Sequence, residues 1–423
     1  MNFYLGIDFG TSGARAVVIN AEGIIQAETQ YAFNQSSGRG TAYRAPTALT
    51  WEKVLFSLIE QIPQKIRQEI KAIAIDGTSS TVLLTDATGQ PLDEPIMYND
   101  GRGVEVMEKL SAIAPPNHTV LSSTSSLAKL LWFRQNSKFK IQKNYYFLHQ
   151  ADWLAFLLHG QLGISDYHNA LKLGYDPEQL CYPAWMEQLS VVPLLPQVLT
   201  PGTPVGEVTA EVSRRLGLPQ NCIVCTGTTD SIAAFVASGA KSPGEAVTSL
   251  GSTLVLKLLS HTRVDNARYG IYSHRLGDLW LTGGASNTGG AVLRHFFSDA
   301  ELENLSCQIN PDIESPLDYY PLLKVGDRFP INNPNLIPRL EPRPADSVEF
   351  LHGLLESMAR IEAQGYQLLQ QLGATVLTHV YTAGGGAKNP TWTKIRERHL
   401  RVSVQPSIHT AAAYGTALLA IQG

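Results

Sequence analysis

The sequence is poor in cysteine, has no marked excess of either charge and lacks a long apolar run. Four cysteines in 423 residues are too few for a disulfide framework, so we expect a reducing compartment, the cytoplasm. A formal net charge of −4 gives no electrostatic reason to expect a nucleic-acid partner. No segment approaches the roughly 18 apolar residues of a membrane span. Since the N-terminus also lacks a signal-peptide pattern, we expect no membrane partner.

Several common active-site motifs are also missing. There is no G-x-x-x-x-G-K-[ST] and no G-x-G-x-x-G after a strand, which excludes Walker-type and Rossmann nucleotide sites. A G-x-S-x-G nucleophile elbow is absent, and the histidines lack metal-ligand spacing. Cys222 and Cys225 form a C-x-x-C, but it lies in the apolar run "CIVCTG". We therefore expect a buried strand there and not a redox or zinc site.

The composition is that of a packed globular enzyme, with 44% hydrophobic and 17% charged residues. The chain is too long for one ordinary core, so we expect two or three domains. Strand-like and helix-like segments alternate, which predicts an α/β architecture. A polar, Gly-rich loop is expected at 34–46. The longest helix is expected near 346–373, beginning with a capping box of Asp346 and Glu349 and ending at Gly373.

The stretch "LGIDFGTSGARAVVIN" places one carboxylate, Asp8, directly before a Gly-Thr-Ser-Gly turn. One interpretation is purely structural, because Gly10 and Gly13 permit the positive φ angles of tight hairpins. The other is functional. Such a turn can point backbone N–H groups and the Thr11 hydroxyl at a phosphate, while the acid holds a metal or a substrate hydroxyl. This stretch alone leaves both interpretations open.

Further candidates follow the same pattern later in the chain. "EAVTSLGSTLVLKLL" repeats the strand, turn, strand plan, which suggests two similar domains facing each other across a cleft. Asp230 ends an apolar strand and begins a helix, a position typical of residues that face a cleft and also of an N-cap. Glycines 384–386 would allow a flat ring or a ribose to approach the main chain.

These parts are the ones that phosphoryl transfer needs: held phosphates, a hard metal ion with oxygen ligands, and a carboxylate that accepts the nucleophile's proton. The two turns can supply N–H and hydroxyl donors from different halves of the chain. They comprise Gly10, Thr11 and Ser12 in the first half, and Gly251, Ser252 and Thr253 in the second.

In their joint order, the segments resemble the FGGY carbohydrate kinases of the actin-like, ribonuclease-H-like ATPase superfamily. The resemblance runs through nearly the whole chain. It is carried by "LGIDFGTSGARAVV", "MYNDGR" at 97–102, "SLAKLLWF" at 126–133, "SDYHNALKLGYD" at 165–176, the spacing that leads to Asp230, "SLGST", "LTGGASNTGG" and "YTAGGGAKNPTW".

The resemblance implies an α/β fold with two ribonuclease-H-like domains across a nucleotide and sugar cleft. Residues 1–237 with 411–423 would form the N-terminal, sugar-binding domain, and residues 238–410 the C-terminal, nucleotide-binding domain. It also implies an enzyme that uses ATP and Mg²⁺ to phosphorylate a small-molecule sugar. We expect a monomer or a homodimer.

The resemblance also implies roles for single residues. Asp230 would deprotonate the attacking sugar hydroxyl, and Asp8 would lie near Mg²⁺ and the sugar. Thr11 would contact the transferring phosphate, in a turn with Gly10 and Ser12. The remaining positions would bind the nucleotide: Gly251, Ser252 and Thr253 its phosphates, and Gly385, Gly386, Asn389 and Trp392 its adenine and ribose. For Trp392, a half-buried helix position is the alternative.

Two departures from the family pattern bear on the substrate. Thr78, Ser79 and Ser80 stand where xylulose kinases usually have Gln-Met-His-Gly, and His168 replaces the usual Ser. Ser79, with Ser231 beside the base, is our candidate for sugar contact. The first departure leads us to favour D-ribulose slightly, with D-xylulose close behind. An actin- or chaperone-like ATPase and a sugar-binding regulator without turnover are the alternatives from other classes.

Overall fold

The computed structural model describes residues 2–33, 46–136 and 144–423, so nearly all of the loop expected at 34–46 lies outside the described residues. The chain divides into two compact units. The first comprises Met1–Ala237 with Ala411–Gly423, and the second comprises Ser238–Thr410. In the described part of the chain, no helix has the length and apolar character that a membrane crossing requires.

The described residues of the first unit are built on a seven-stranded mixed sheet in the order β3-β2-β1-β4-β10-β9, with β11 also paired to β4. β1 is antiparallel to β2 and parallel to β4. The strands of this unit are β1 Phe3–Phe9, β2 Gly13–Asn20, β3 Ile25–Ala32, β4 Ile70–Gly77, β5 Val82–Thr85, β6 Tyr146–His149, β7 Ile164–Asp166, β8 Gln197–Leu199, β9 Pro204–Glu207, β10 Ile223–Cys225 and β11 Thr228–Thr229.

The first unit also contains nine described helices. They are α1 Ala48–Gln61, α2 Gln64–Arg67, α3 Met107–Ile113, α4 Ser126–Gln135, α5 Gln150–His159, α6 Tyr167–Ala170, α7 Ala210–Leu216, α8 Asp230–Ala237 and, from the end of the chain, α13 Ala412–Ala420. Gly217 ends α7 with a positive φ, as expected for a left-handed C-cap. Short 3₁₀ turns lie at Arg102–Val106, Leu171–Leu173, Ala184–Gln188 and Val192–Leu194.

Two glycines allow α13 to pack directly on the centre of the first unit. A Cβ on Gly6 of β1 would lie 2.1 Å from the carbonyl oxygen of Ala413, and a Cβ on Gly415 would lie 1.9 Å from that of Ala233 in α8. Neither position has room for a side chain. The end of the chain therefore returns to the sheet that contains the first residues.

The second unit, all of whose residues are described, is built on a six-stranded sheet in the order β14-β15-β13-β12-β16-β17. Its strands are β12 Glu245–Leu250, β13 Leu254–Ser260, β14 Tyr272–Leu276, β15 Leu279–Ser286, β16 His379–Ala383 and β17 Ser403–Pro406. Its helices are α9 Gly290–Phe296, α10 Asp299–Ser306, α11 Ser347–Gln371 and α12 Pro390–Leu400, with 3₁₀ turns at Ala267–Tyr269 and Gly385–Lys388.

The two sheets repeat one strand plan. In the first unit, β3, β2 and β1 form an antiparallel meander and β4 runs parallel to β1. In the second, β15, β13 and β12 are likewise antiparallel neighbours, with β14 inserted in sequence between β13 and β15, and β16 runs parallel to β12. The α/β class and the repeated hairpin expected from the sequence are confirmed.

The longest helix begins and ends close to the expected residues, but its start is capped differently. The Asp346 side chain accepts a hydrogen bond from the Val348 backbone at 2.8 Å, without a reciprocal contact from Glu349. The helix ends at Gln371, and Gly373 follows with a φ of 103°. Glu362 of this helix forms a buried ion pair with Arg396 of α12, which donates two hydrogen bonds to it at 2.7 and 2.8 Å.

The C-x-x-C is buried, as predicted, but only its second cysteine lies in a strand. Cys222 and Cys225 are buried and free, and Cys225 ends β10. Burial raises the pKa of the Cys222 thiol to about 12 and that of Cys225 to about 11. Both thiols therefore stay protonated and unreactive near neutral pH.

Candidate functional site

Three acidic residues come together at the carboxyl ends of adjacent strands in the first unit. β1 and β4 pair in register, with Asp8 opposite Asp76. On the other side of β4, Thr228 of β11 also lies opposite Asp76, and Asp230 follows two residues later as the first residue of α8. The sequence predicted Asp8 and Asp230 for this edge but not Asp76, which lies between them.

The acids affect one another's ionisation. The pKa of Asp8 is raised to about 6, mainly by burial and also by the charge of Asp230, against the opposing effects of a hydrogen bond from Asp76 and the charge of Arg15. Burial raises the pKa of Asp76 well above its usual value, and the Asp8 charge adds to this; a hydrogen bond from Thr416 of α13 opposes it. Two adjacent buried carboxyl groups do not both ionise readily. Burial and the neighbouring charge therefore favour the protonated form of Asp76.

Asp230 lies at the start of a helix, as its sequence context suggested, but it is the first residue of α8 and not its N-cap. Its Oδ1 accepts a hydrogen bond from the Ser231 backbone at 2.6 Å. The residue is only half-buried, and Ser231 beside it is exposed. The helix N-terminus stabilises negative charge at this position. One carboxylate oxygen is thus held at the helix start, and the residue is partly exposed.

The Gly-Thr-Ser-Gly turn closes with a hydrogen bond from the Gly10 N–H to the Gly13 carbonyl at 3.0 Å. Neither glycine has a positive φ, so the conformational reason offered for them is wrong. Gly13 is required for another reason, because a Cβ there would lie 2.4 Å from the Tyr31 carbonyl of β3. Thr11 is half-buried and Ser12 exposed.

Of the three hydroxyl residues on the sugar-side segment, Ser79 is the most accessible. Thr78 is committed to structure: its N–H and its hydroxyl both donate to Gln150 Oε1, at 3.0 and 3.1 Å. Ser80 is buried with a φ of 64°, and its hydroxyl has no hydrogen-bond partner among the described residues. Ser79 between them is half-buried. It remains the candidate for sugar contact on this segment.

A buried lysine links this segment to two others that the resemblance singled out. Lys129 of α4 is fully buried, and its Nζ donates to the Ser80 carbonyl at 2.8 Å and to the Met97 carbonyl at 2.7 Å. Burial lowers the pKa of Lys129 to about 7. "SLAKLLWF", "MYNDGR" and the Thr78–Ser80 segment thus form one connected structure. The sequence signal was the Lys of the K-x-x-W signature, to which we had assigned no role.

The second Gly-Ser-Thr turn, in the other unit, is surrounded by different groups. The Gly251 N–H donates to the Thr253 carbonyl at 3.2 Å, and the Gly251 carbonyl accepts from the Gly290 N–H at 2.8 Å. Arg294 of α9 donates to the Ser252 hydroxyl at 3.1 Å. The sequence did not predict this arginine. A cation beside a turn of N–H and hydroxyl donors suits the binding of an anion.

Glycines 384–386 lie against the end of β12, next to the same turn. Gly384 has a φ of 85°, and a Cβ there would lie 2.6 Å from the Leu250 carbonyl. Gly385 is exposed, and nothing lies within 4 Å of where its Cβ would be. The bend therefore presents open backbone beside the turn, as expected for a surface that a flat ring could approach.

Trp392 and Asn389 are bound into the structure of this unit. Trp392 is 2% exposed and belongs to the core, and its ring packs under Gly386. Asn389 caps α12, with its Oδ1 accepting from the Trp392 backbone at 2.9 Å and its Nδ2 donating to Ser306 at 2.8 Å. The packing alternative thus describes Trp392 better than direct adenine contact, and the residue supports the glycine bend from below.

The first unit has the donors that a Mg²⁺ ion carried by a nucleotide would need. Asp8 Oδ1 is buried without a hydrogen-bond partner among the described residues, and so is Asp76 Oδ1. In the described part of the chain, no three His, Cys, Asp or Glu side chains form a dedicated metal cage. Mg²⁺ is usually held by one or two carboxylates together with phosphates and water. The residues fit that mode, in which Asp8 would be a ligand.

Comparison with known proteins identifies the family of the chain. Residues 3–237 match the model of the N-terminal domain of the FGGY family of carbohydrate kinases. The chain belongs to this family. It is therefore a sugar kinase, and membership implies that it uses ATP. The resemblance inferred from the sequence is confirmed.

Relatives match the chain over nearly its full length. The xylulose kinase of Staphylococcus xylosus is 21% identical over 444 residues, covering 100% of this chain and 91% of the relative. That of Bacillus subtilis (strain 168) is 23% identical over 445 residues, covering 100% and 88%. A crystal structure described as a xyloylose kinase from Brucella ovis has a TM-score of 0.83 at 23% identity, and covers 100% of this chain and 91% of that one. The structural match shows a shared fold.

Proposed function

We propose that the chain transfers the γ-phosphoryl group of ATP to a hydroxyl of a ketopentose. The observation that carries the proposal is the convergence of Asp8, Asp76 and Asp230 at one strand edge of the first unit. The first unit would bind the sugar. The second would bind the nucleotide, through the Gly251–Thr253 turn and the Gly384–Gly386 bend.

Asp230 is the proposed general base. Its carboxylate would accept the proton of the attacking sugar hydroxyl as that oxygen bonds to the γ-phosphorus and ADP leaves. Its bond to the Ser231 N–H holds one carboxylate oxygen. The residue is only half-buried, so a substrate could reach the group. Asp8 would orient the sugar and hold Mg²⁺, which neutralises phosphate charge when bound. Thr11 would contact the phosphate in transit.

The sugar is proposed at the level of a pentulose, with two candidates. The names of the two relatives favour D-xylulose. The Thr78–Ser80 segment led us to favour D-ribulose, but Thr78 is bonded to Gln150 and Ser80 is buried, so that preference now depends on Ser79 alone. We therefore treat D-xylulose and D-ribulose as equal candidates.

The test is a coupled ADP-release assay with D-ribulose, D-xylulose and glycerol, using the whole chain with Mg²⁺ and ATP. We expect ADP release that depends on a pentulose and falls at least about 100-fold in Asp230→Asn, because general-base catalysis contributes roughly 10²-fold or more. Asp265→Asn, on the surface of the second unit, is the matched control. ATP hydrolysis without a phosphorylated sugar would support the actin-like alternative. Sugar binding without turnover would support the regulator.

A further inference from the structure

The segment that precedes the proposed base has little backbone support of its own. β11 is two residues long and pairs with β4 alone among the described strands, through Thr228 opposite Asp76 and Thr229 opposite Gly77. α8 begins immediately afterwards with Asp230. Any shift of Thr228 would therefore move the start of the helix and the Asp230 carboxylate with it.

Two buried side chains hold Thr228 from outside the sheet. His168 Nδ1 lies 2.7 Å from the Thr228 hydroxyl, and Asn169 Nδ2 donates to the Thr228 carbonyl at 3.2 Å. His168 and Asn169 are 2% and 1% exposed, and Thr228 is fully buried. Both the side chain and the main chain of Thr228 are thus fixed by residues about 60 positions earlier.

Asp166 holds the backbone of both residues and the side chain of Asn169. Asp166 Oδ1 accepts from the His168 N–H at 2.8 Å and from the Asn169 N–H at 3.0 Å. Its Oδ2 accepts from Asn169 Nδ2 at 2.6 Å. The Asn169 amide therefore uses its nitrogen for both contacts, and the orientation of the group is determined. The ring of Tyr167 meets that of His168 edge to face, with centroids 4.7 Å apart.

We propose that His168 and Asn169 are positioning residues for phosphoryl transfer, which hold Thr228 so that Asp230 lies in the geometry that proton transfer requires. The inference depends on the proposed role of Asp230. Neither residue contacts the reacting atoms. Their effect passes through Thr228, and a displacement of about 1 Å at a reacting group can reduce a rate about 100-fold.

The test compares variants that remove the contact with variants that keep it. His168→Ala and Thr228→Val remove it, the second with almost no change of shape. His168→Asn keeps a polar atom where Nδ1 stands, and Thr228→Ser keeps the hydroxyl. The kcat and the KM for sugar and for ATP are measured on the full chain, and thermal unfolding reports on the fold.

We expect kcat to fall about 10-fold to 100-fold in His168→Ala and in Thr228→Val, with the KM for ATP within about twofold of the parent. His168→Asn and Thr228→Ser should stay within about fivefold of the parent kcat. His168→Ala and Thr228→Val remove the same contact. The variant that carries both should therefore have a kcat no lower than that of the poorer single variant.

The proposal is overturned if a folded Thr228→Val keeps the parent kcat, or if His168→Asn is no better than His168→Ala. Should His168→Ala fail to fold, the Thr228 pair decides alone. Asp230→Asn, measured in parallel, separates the two hypotheses. If Asp230→Asn stays active, the proposed base is wrong. If it is inactive while Thr228→Val is normal, only the positioning role is wrong.

Discussion

The two Gly-Thr/Ser hairpins of this chain share a backbone plan and differ in what surrounds them. Each turn closes with an N–H donated by its glycine, Gly10 at 3.0 Å and Gly251 at 3.2 Å. The turn in the first unit lies next to Asp8 and Asp76, whereas the turn in the second lies next to Arg294. The comparison teaches that the hairpin is a scaffold, and that neighbouring strands and helices determine its chemistry.

The difference also affects stability. Burial raises the pKa values of Asp8 and Asp76, which means that the folded first unit disfavours their charged forms. The second turn has a cation and open backbone instead of buried acids. Sites that carry out chemistry often retain such unfavourable groups, and neutral substitutions there commonly increase stability while reducing activity. Substitutions in the two hairpins should therefore have different effects.

The largest effect is expected from Asp8→Asn compared with Ser252→Ala. Asp8→Asn removes the charge proposed to hold Mg²⁺ and to orient the sugar, so kcat should fall about 100-fold or more. Ser252→Ala leaves the backbone N–H groups of its turn in place, and activity should stay within about tenfold. Steady-state ADP release measures both. Equal losses would contradict the view that the two turns have different roles.

A smaller effect is expected at Asp76, which has no counterpart beside the second turn. Asp76→Ala should reduce kcat about tenfold, because Asp8 loses its buried hydrogen-bond donor and Thr416 its acceptor. Asp76→Asn can still donate to Asp8 through its amide, so it should recover most of that loss. The same assay applies. If the Asn variant is as poor as the Ala variant, Asp76 does not act as a donor.

The sequence predicted those features that are determined by residues close to one another in the chain. The hairpins and the α/β class follow from alternation and turn residues within a few positions, and the structure confirms them. Gly13 is a different case, because its requirement comes from the approach of β3 and not from its own backbone angle. A turn pattern therefore predicts where a glycine is needed but not which contact makes it necessary.

Residues whose partners are distant in sequence were missed. Asp76 is bonded to Thr416, 340 residues later, and Lys129 reaches a carbonyl 49 residues earlier. No spacing rule connects such positions. Trp392 shows the converse, since a motif match suggested ligand contact where packing under Gly386 buries the ring. Only the assembled strands show which acids meet and which aromatic rings are buried.

Arg294 tests the nucleotide side of the comparison. Arg294→Ala should raise the KM for ATP about threefold to tenfold with a smaller change in kcat, because the side chain beside Ser252 would donate to a phosphate. The KM for the sugar should not change. Arg214→Ala, at an exposed arginine of α7 in the first unit, is the control. A change in the KM for the sugar alone would show that Arg294 acts on the sugar and not on the nucleotide.

The smallest effect is a pH-dependent gain in stability that should distinguish the two turns. The pKa of Asp8 is raised from 3.8 to about 6 on folding, so the folded state binds more protons than the unfolded state between those values. The stability of the parent therefore falls as pH rises through this window, and the penalty is complete above pH 6.

The Asp8→Asn variant avoids this loss of stability. Its thermal midpoint should exceed that of the parent by about 2 to 4 °C at pH 8, since solvent around the half-buried group limits the gain to about 1 kcal/mol. The difference should shrink towards zero near pH 4. Ser252→Ala, measured over the same range, should show a difference that does not change with pH, because Ser252 has no titratable group and its hydroxyl accepts from Arg294, which stays charged. A constant difference for Asp8→Asn would mean that its carboxyl group is not desolvated by folding, and the contrast between the two hairpins would then be one of activity alone.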